Sequence, residues 1–190
     1  MQSARAQSSK AFVFSLALLW IIQKMVFLYL DQASLGWDIG VFGNMAFILA
    51  IAAHTLWARY RRVAPSETNM LDDIKSALQR VGLYVMIVGG FIVVYHFVID
   101  PNLIEDRVQQ RLADVSNVLD EFPSFEAFVA ANDMIEEGAT REEFMRRSEE
   151  SFRSLLNPTF TAGGSLLLLL IWGSFCSLII TALFRGVIFR

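Results

Sequence analysis

The chain has 190 residues, 55% of them hydrophobic, with 16 Phe, 4 Trp and a formal net charge of −3. A soluble domain of this length is less apolar and does not gather its apolar residues into four blocks. No Lys/Arg-rich stripe runs through it, which excludes nucleic acid as a partner.

The apolar blocks are residues 11–30, 40–58, 81–99 and 162–184. Each has about the 17–25 residues that cross a hydrocarbon core as a helix. They predict an all-α membrane protein: a four-transmembrane-helix bundle with a helical periplasmic insertion between spans three and four. The expected organisation is spans one to three in 1–99, with a cytoplasmic amphipathic link at 59–80. An acidic insertion follows at 100–158, then span four and a short cytoplasmic tail at 159–190.

Block one follows Arg5 and Lys10, as a signal peptide would. It is longer than an apolar signal core, and Leu30-Asp31-Gln32-Ala33 offers no small-x-small cleavage site, so it is expected to be an uncleaved span. Lys24 is the one formal charge inside the four blocks. It lies six residues from the end of its block, on the order of 9 Å deep at about 1.5 Å per residue.

The loop at 31–39 has no basic residue, whereas Arg59, Arg61, Arg62, Lys75 and Arg80 fill the link between spans two and three. Arg185 and Arg190 follow the last span. By the positive-inside rule, both termini and the link are expected in the cytoplasm and 100–157 on the opposite side. That segment holds 14 acidic and 6 basic residues, a net of −8, against +5 for the remainder. Solvation outside, with topology control and attraction to anionic lipid inside, accounts for this split. Cation or partner docking on the acidic side is the alternative.

In the link, Ser66-Glu67-Thr68-Asn69 precedes Met70, Ile74, Ala77 and Leu78, while Asp72, Asp73 and Lys75 lie elsewhere on the helix. The pattern predicts a short helix on the inner membrane surface, running into span three. In the insertion, Asp100-Pro101-Asn102 opens a helix bearing Leu103, Val108, Leu112, Val115 and Leu119. Pro123-Ser124 opens a second, with Phe125, Phe128 and Ile135, closed by Gly138. Thr140 and Glu143 form a capping box for a third. Together they are expected to cap the outer mouth of the bundle, their phenylalanines buried against each other or the membrane surface. Asn157-Pro158 ends the third helix before span four.

Small residues mark packing faces inside lipid. Span two offers Gly43, Ala46, Ala50 and Ala53; span three Gly82, Met86, Gly89 and Val93; span four Gly173, Ser177 and Thr181. No catalytic, cofactor-binding or metal-binding set is recognisable. His54 and His96 fall at opposite depths, on the order of 15 Å apart along the membrane normal, which excludes both from ligating one haem. His54 is expected to hydrogen-bond at the interface beside Trp57. Cys176 is alone, so neither a disulfide framework nor a cysteine metal site is expected. The serines of WGSFCS have no histidine–carboxylate partner at their depth.

The stretches ARYRR…LDDIKSALQRVGLYV and NPTFTAGGSLLLLLIWGSFCSLIITALF, with the acidic helical segment before Asn157-Pro158, resemble a small family of Bacteroidetes. That family has four transmembrane helices and is known as a domain of unknown function. The resemblance covers most of the chain and rests on structural motifs. It implies an integral inner-membrane protein of a Gram-negative cell, brings no catalytic residues, and suggests a membrane glycosyltransferase as partner.

The function expected is a non-catalytic accessory or scaffold subunit of a larger membrane assembly. Its partners would be the lipid bilayer and another membrane protein or a second copy of itself. The alternative is a small ion- or proton-coupled transporter using Lys24, Asn44 and His96, because ionisable residues inside spans are functional by default. An enzyme acting on lipid-linked substrates would need pocket residues that the sequence does not display. For Lys24 two readings stand: snorkelling or a simple structural pair, or a buried site with His96, Asn44 or a partner's carboxylate.

Overall fold

The structure, a computed structural model, describes residues 2–132, 138 and 140–188. Among the described residues all regular structure is helical: α1 (Gln2–Tyr29), α2 (Ala33–Tyr60), α3 (Met70–Val94), α4 (Leu103–Asp120), α5 (Phe125–Ala130), α6 (Arg141–Leu155) and α7 (Pro158–Leu183). Single π-helical turns extend α3 through Ile99 and α7 through Ile188. Lys10–Tyr29, Ala33–Tyr60, Met70–Ile99 and Pro158–Ile188 are long and apolar enough to cross a membrane. Among the described residues the chain is thus all-helical, with four helices long and apolar enough to span a membrane, as its composition predicts. It divides into two compact units, Met1–Val93 with Gly163–Arg190, and Val94–Ala162.

The first unit begins with a tight helical hairpin. Asp31 adopts φ 55°, a left-handed conformation that Asp tolerates better than most residues with a Cβ. Its N–H donates to Leu28 O, and that of Gln32 reaches back to Phe27 O. These two bonds form a Schellman motif, with Asp in the place usually held by glycine. Such a turn returns α2 directly along α1, and the two helices pack together.

Along α1 the buried seam is Val13, Ala17, Trp20 and Lys24, alternating by four and three residues as helix packing requires. On α2 the seam is Gly36, Gly40, Asn44, Ile48, Ile51 and Thr55. This differs from the expected Gly43–Ala53 stripe, of which Ala46 is exposed. On α3 the buried face is Asp73, Ala77, Val81, Val85, Val88 and Ile92. Gly89 and Gly173 mark close α3–α7 approaches: a Cβ at Gly89 would strike Leu166, and one at Gly173 would strike Val81. These pairs climb α3 while descending α7, so the two helices run antiparallel. Within this chain Gly82 makes no close approach, since a Cβ there would meet nothing within 4 Å. Met86 on the same expected stripe is 72% exposed. Larger apolar residues beside this stripe make the contacts, so Gly82 is turned away from α7 while Gly89 stays inward.

Ser177 and Thr181 are buried as expected. Their hydroxyls donate to Gly173 O and Ser177 O, each 2.7 Å away and one turn back. They satisfy themselves inside α7, so small volume rather than an interhelical hydrogen bond is their contribution.

The helix expected in the link runs without a break into span three. Met70–Val94 is continuous, with Asp73 and Ala77 fully buried and Met70 and Leu71 exposed. The inward face is therefore rotated from the one expected. His54 lies beside Trp57 as expected, with ring centroids 6.3 Å apart. It stacks on Phe12, with centroids 4.3 Å apart, and its Nδ1 has no hydrogen-bond partner among the described residues.

The second unit holds α4, α5 and α6, with α4 packed on α6. Ser124 caps α5 by accepting from Ala127 N, and Thr140 caps α6 by accepting from Glu143 N. Helix α5 ends at Ala130, and Ile135 of the longer expected helix lies outside the described residues. Phe122, Phe125, Phe128 and Phe144 cluster with centroids 5.2–6.0 Å apart. The phenylalanines thus pack against each other, and each stays partly exposed. Ion pairs clip α4 to α6 at both ends: Arg141 to Asp120 at 2.7 Å, and Arg153 to Glu105 through two bonds of 2.5 and 2.8 Å. Asn157 accepts from Thr159 N and starts α7 at Pro158, a position where proline loses no helical hydrogen bond.

Candidate functional site: an apolar cleft at Lys24

Lys24 does not snorkel. It is 3% exposed, because its place on the α1 seam aims it at α2. Its Nζ donates to Gly36 O at 2.8 Å and lies 4.3 Å from the Trp37 ring centroid and 5.2 Å from that of Trp20. The glycines make this possible. A Cβ at Gly40 would sit 2.6 Å from Lys24 Cε and Nζ, and one at Gly36 would run into Phe27. Without those side chains the α2 backbone comes close enough for Trp20 Nε1 to donate to Gly40 O at 2.9 Å. Gly36 O accepts a second side-chain bond, from Gln23 at 3.3 Å. Carbonyl dipoles and indole faces thus replace the water that a buried ammonium loses.

Lys24 lines a cleft of about 400 Å³. Its α1–α2 wall also carries Trp20, Trp37, Val41 and Asn44, and Ile92 of α3 lies behind. The facing wall is α7, with Ser165, Leu169 and Trp172 inside and Leu168, Ile171 and Phe175 at the rim. The rim residues are exposed, Leu168 at 67%, so the cleft opens sideways on the apolar surface of the spans. Asn44 Oδ1 accepts from Tyr84 OH at 2.6 Å, and Trp172 Nε1 donates to Met45 O at 3.2 Å. These bonds tie α3 and α7 to α2 around the cavity.

Of the three polar residues singled out from the sequence, Lys24 and Asn44 meet on this cleft. His96 belongs to the second unit, where it is buried and lies edge-on to Tyr95. Trp37, Gly36 and Gly40 are the contributors that sequence reasoning missed. The signal was present in the four-residue spacing Gly36–Gly40–Asn44 and in the placement of Lys24 seven residues after Ala17 on the α1 seam.

A second buried polar cluster sits at the other end of this unit. Asp73 is 0% exposed. Its carboxylate pairs with Arg59 at 2.8 Å and with Arg185, and accepts from Tyr60 OH at 2.6 Å and Thr68 Oγ1 at 3.0 Å. Arg185 also donates to Thr68 O at 2.8 Å. The end of α2, the start of α3 and the end of α7 are thereby knotted by one carboxylate. The signal for this buried acid was its place four residues before Ala77 and eight before Val81 on the buried face of α3.

Among the described residues no group of three His, Cys, Asp or Glu could hold a metal ion. No family model matches the chain, and no curated protein or solved structure matches it.

Proposed function

We propose that this protein is an integral membrane accessory subunit whose spans anchor a charged helical module at the bilayer. The observation that carries this reading is the division of the chain into a four-span unit and a separate unit, Val94–Ala162, stapled by its own ion pairs. A module with its own aromatic cluster and salt-bridge lattice is built to hold a shape for a partner. The distribution of Lys and Arg supports a bacterial inner-membrane topology with both termini cytoplasmic and the acidic module in the periplasm. The gathering of Arg59 and Arg185 on Asp73 agrees with the link and the C-terminus sharing one side. The resemblance to the Bacteroidetes family makes a membrane glycosyltransferase the first partner to test.

The test is photo-crosslinking in native membranes from Val118, an exposed apolar residue on α4. One dominant adduct is expected, and the protein it identifies should cease to co-purify when residues 103–155 are replaced by a flexible linker. Purified protein that drives solute flux in liposomes alone would reject the accessory reading and favour the transporter.

A further inference from the structure

We propose that the tryptophan-lined cleft binds the ring of an isoprenoid quinone, taken up sideways from the bilayer, with a ring carbonyl on Asn44. The proposal rests on the four spans lying in a bilayer and is independent of the accessory role. Lys24 keeps its bond to Gly36 O, and its charge plays no part in the recognition.

Asn44 carries the argument. It is 4% exposed, and Tyr84 OH donates to its Oδ1 at 2.6 Å. That bond leaves the N–H donors of the amide. Among the described residues these donors have no hydrogen-bond partner, and Asn44 lines the cleft. Among the same residues the Ser165 hydroxyl, on the facing α7 wall, has none either. A buried donor without an acceptor is costly, so the cleft suits an occupant that brings oxygen acceptors.

Depth decides which acceptor. Asn44 is within about 4 Å of the midpoint of α2 along its axis, at about 1.5 Å per residue. Its partner Tyr84 is at the middle of the Met70–Ile99 span, and Trp172 is next to the middle of Pro158–Ile188. Three spans thus put this end of the cleft near the centre of a hydrocarbon core about 30 Å thick. The ester carbonyls of glycerolipids stay at the interface, about 15 Å from that centre. A quinone is neutral, dissolves in hydrocarbon through its prenyl chain, and carries its carbonyls to that depth.

The walls favour a flat ring. Trp20 and Trp172 donate their indole N–H groups to Gly40 O and Met45 O, which fixes both side chains and leaves aromatic surface toward the cleft. Aromatic rings gain from offset or edge contacts with another ring beyond simple burial. The volume of about 400 Å³ is at the small end of the roughly 300–1,000 Å³ typical of small-molecule sites. That size suits a ring and the start of its tail. The tail leaves between the exposed rim residues Leu168 and Ile171, toward lipid.

Quinones quench tryptophan fluorescence, and three of the four tryptophans, Trp20, Trp37 and Trp172, line the cleft. Full-length protein in phosphatidylcholine nanodiscs is titrated with menaquinone-4. Saturable quenching at one molecule per protein is expected. Geranylgeraniol has the same prenyl chain without the ring, and dioctanoylglycerol brings ester carbonyls. Each should compete at least about tenfold more weakly than the quinone binds. Asn44→Leu combined with Tyr84→Phe removes the donor without stranding the tyrosine hydroxyl. It should weaken binding about three- to tenfold, the worth of one hydrogen bond. Ser165→Phe, which fills the cleft from the α7 wall, should abolish saturation. Circular dichroism and size exclusion check that each variant folds, and the competition on the native protein stands without them. Quenching that rises linearly with menaquinone-4 would overturn the proposal. So would equal competition by geranylgeraniol, which would make the cleft a chain site, or by dioctanoylglycerol, which would assign it to glycerolipid. Unchanged affinity in the folded double variant would also overturn it.

Discussion

The ammonium of Lys24 lies 2.8 Å from the carbonyl oxygen of Gly36, twelve residues along the chain and on the facing helix. The contact exists because two glycines strip α2 of side chains where α1 carries its longest ones. Trp37 then covers the ammonium from α2. A desolvated cation–π contact is worth about 2 kcal/mol. A double-mutant cycle with Lys24→Met and Trp37→Leu should therefore give a coupling energy of about 1–2 kcal/mol, measured by reversible unfolding in mixed micelles. A coupling near zero would mean that Trp37 acts as an apolar filler alone.

The glycines of the bundle should separate sharply on substitution. Gly36→Ala pushes a methyl into Phe27 close to its backbone, where little can yield, and a loss of about 1–3 kcal/mol is expected. Gly82→Ala enters open space and should leave stability within about 0.5 kcal/mol or raise it, since alanine favours helix. Side-by-side unfolding of the two variants checks this ordering.

The Asp73 knot makes a comparable distinction between neighbours. Asp73→Asn leaves Arg59 and Arg185 facing an uncharged amide at a buried point. Removing one partner of a buried ion pair costs about 3–5 kcal/mol. The two guanidinium groups keep partial access to solvent, so about 2–3 kcal/mol is expected here. Asp72→Asn, on the exposed face, should change stability by less than about 0.5 kcal/mol. Thermal melts of both variants in detergent decide it.

Acid should loosen the second unit. Hydrogen bonds from Arg153, and then from Gln109, hold the Glu105 carboxyl below its ordinary value of 4.5, and Glu105 and Glu149 raise Arg153 in turn. The folded pKa of Glu105 is lower than the unfolded one. Its contribution is therefore complete above about 4.5 and is lost as pH falls through the lowered folded value. Hydrogen exchange, corrected for its intrinsic pH dependence, should show α4 and α6 less protected at about pH 3 than at about pH 6. Arg153→Gln should shift that loss upward toward the ordinary carboxylate range. The pair is half-exposed, so raised salt should weaken it as well.

The four spans were legible in the sequence because length and apolarity alone decide whether a helix can cross a membrane. The caps at Ser124 and Thr140 were legible because a side chain and a backbone N–H three residues away settle them locally. Which face of each helix is buried was not. Gly82, Met86 and Asp73 all sit on α3, yet composition alone pointed to Gly82 as inward and Asp73 as outward. In an apolar helix nearly every residue tolerates either lipid or protein, so hydrophobic contrast does not orient it, and the fit of neighbouring helices does. For the same reason Lys24 was recognisable as the intramembrane charge, but its burial depended on Gly36, Gly40 and Trp37 arriving from the facing helix. The sequence by itself determined the helices, their lengths and the caps of α5 and α6. Only the tertiary structure decided how they turn toward one another, and with that the cleft at Lys24 and the knot at Asp73.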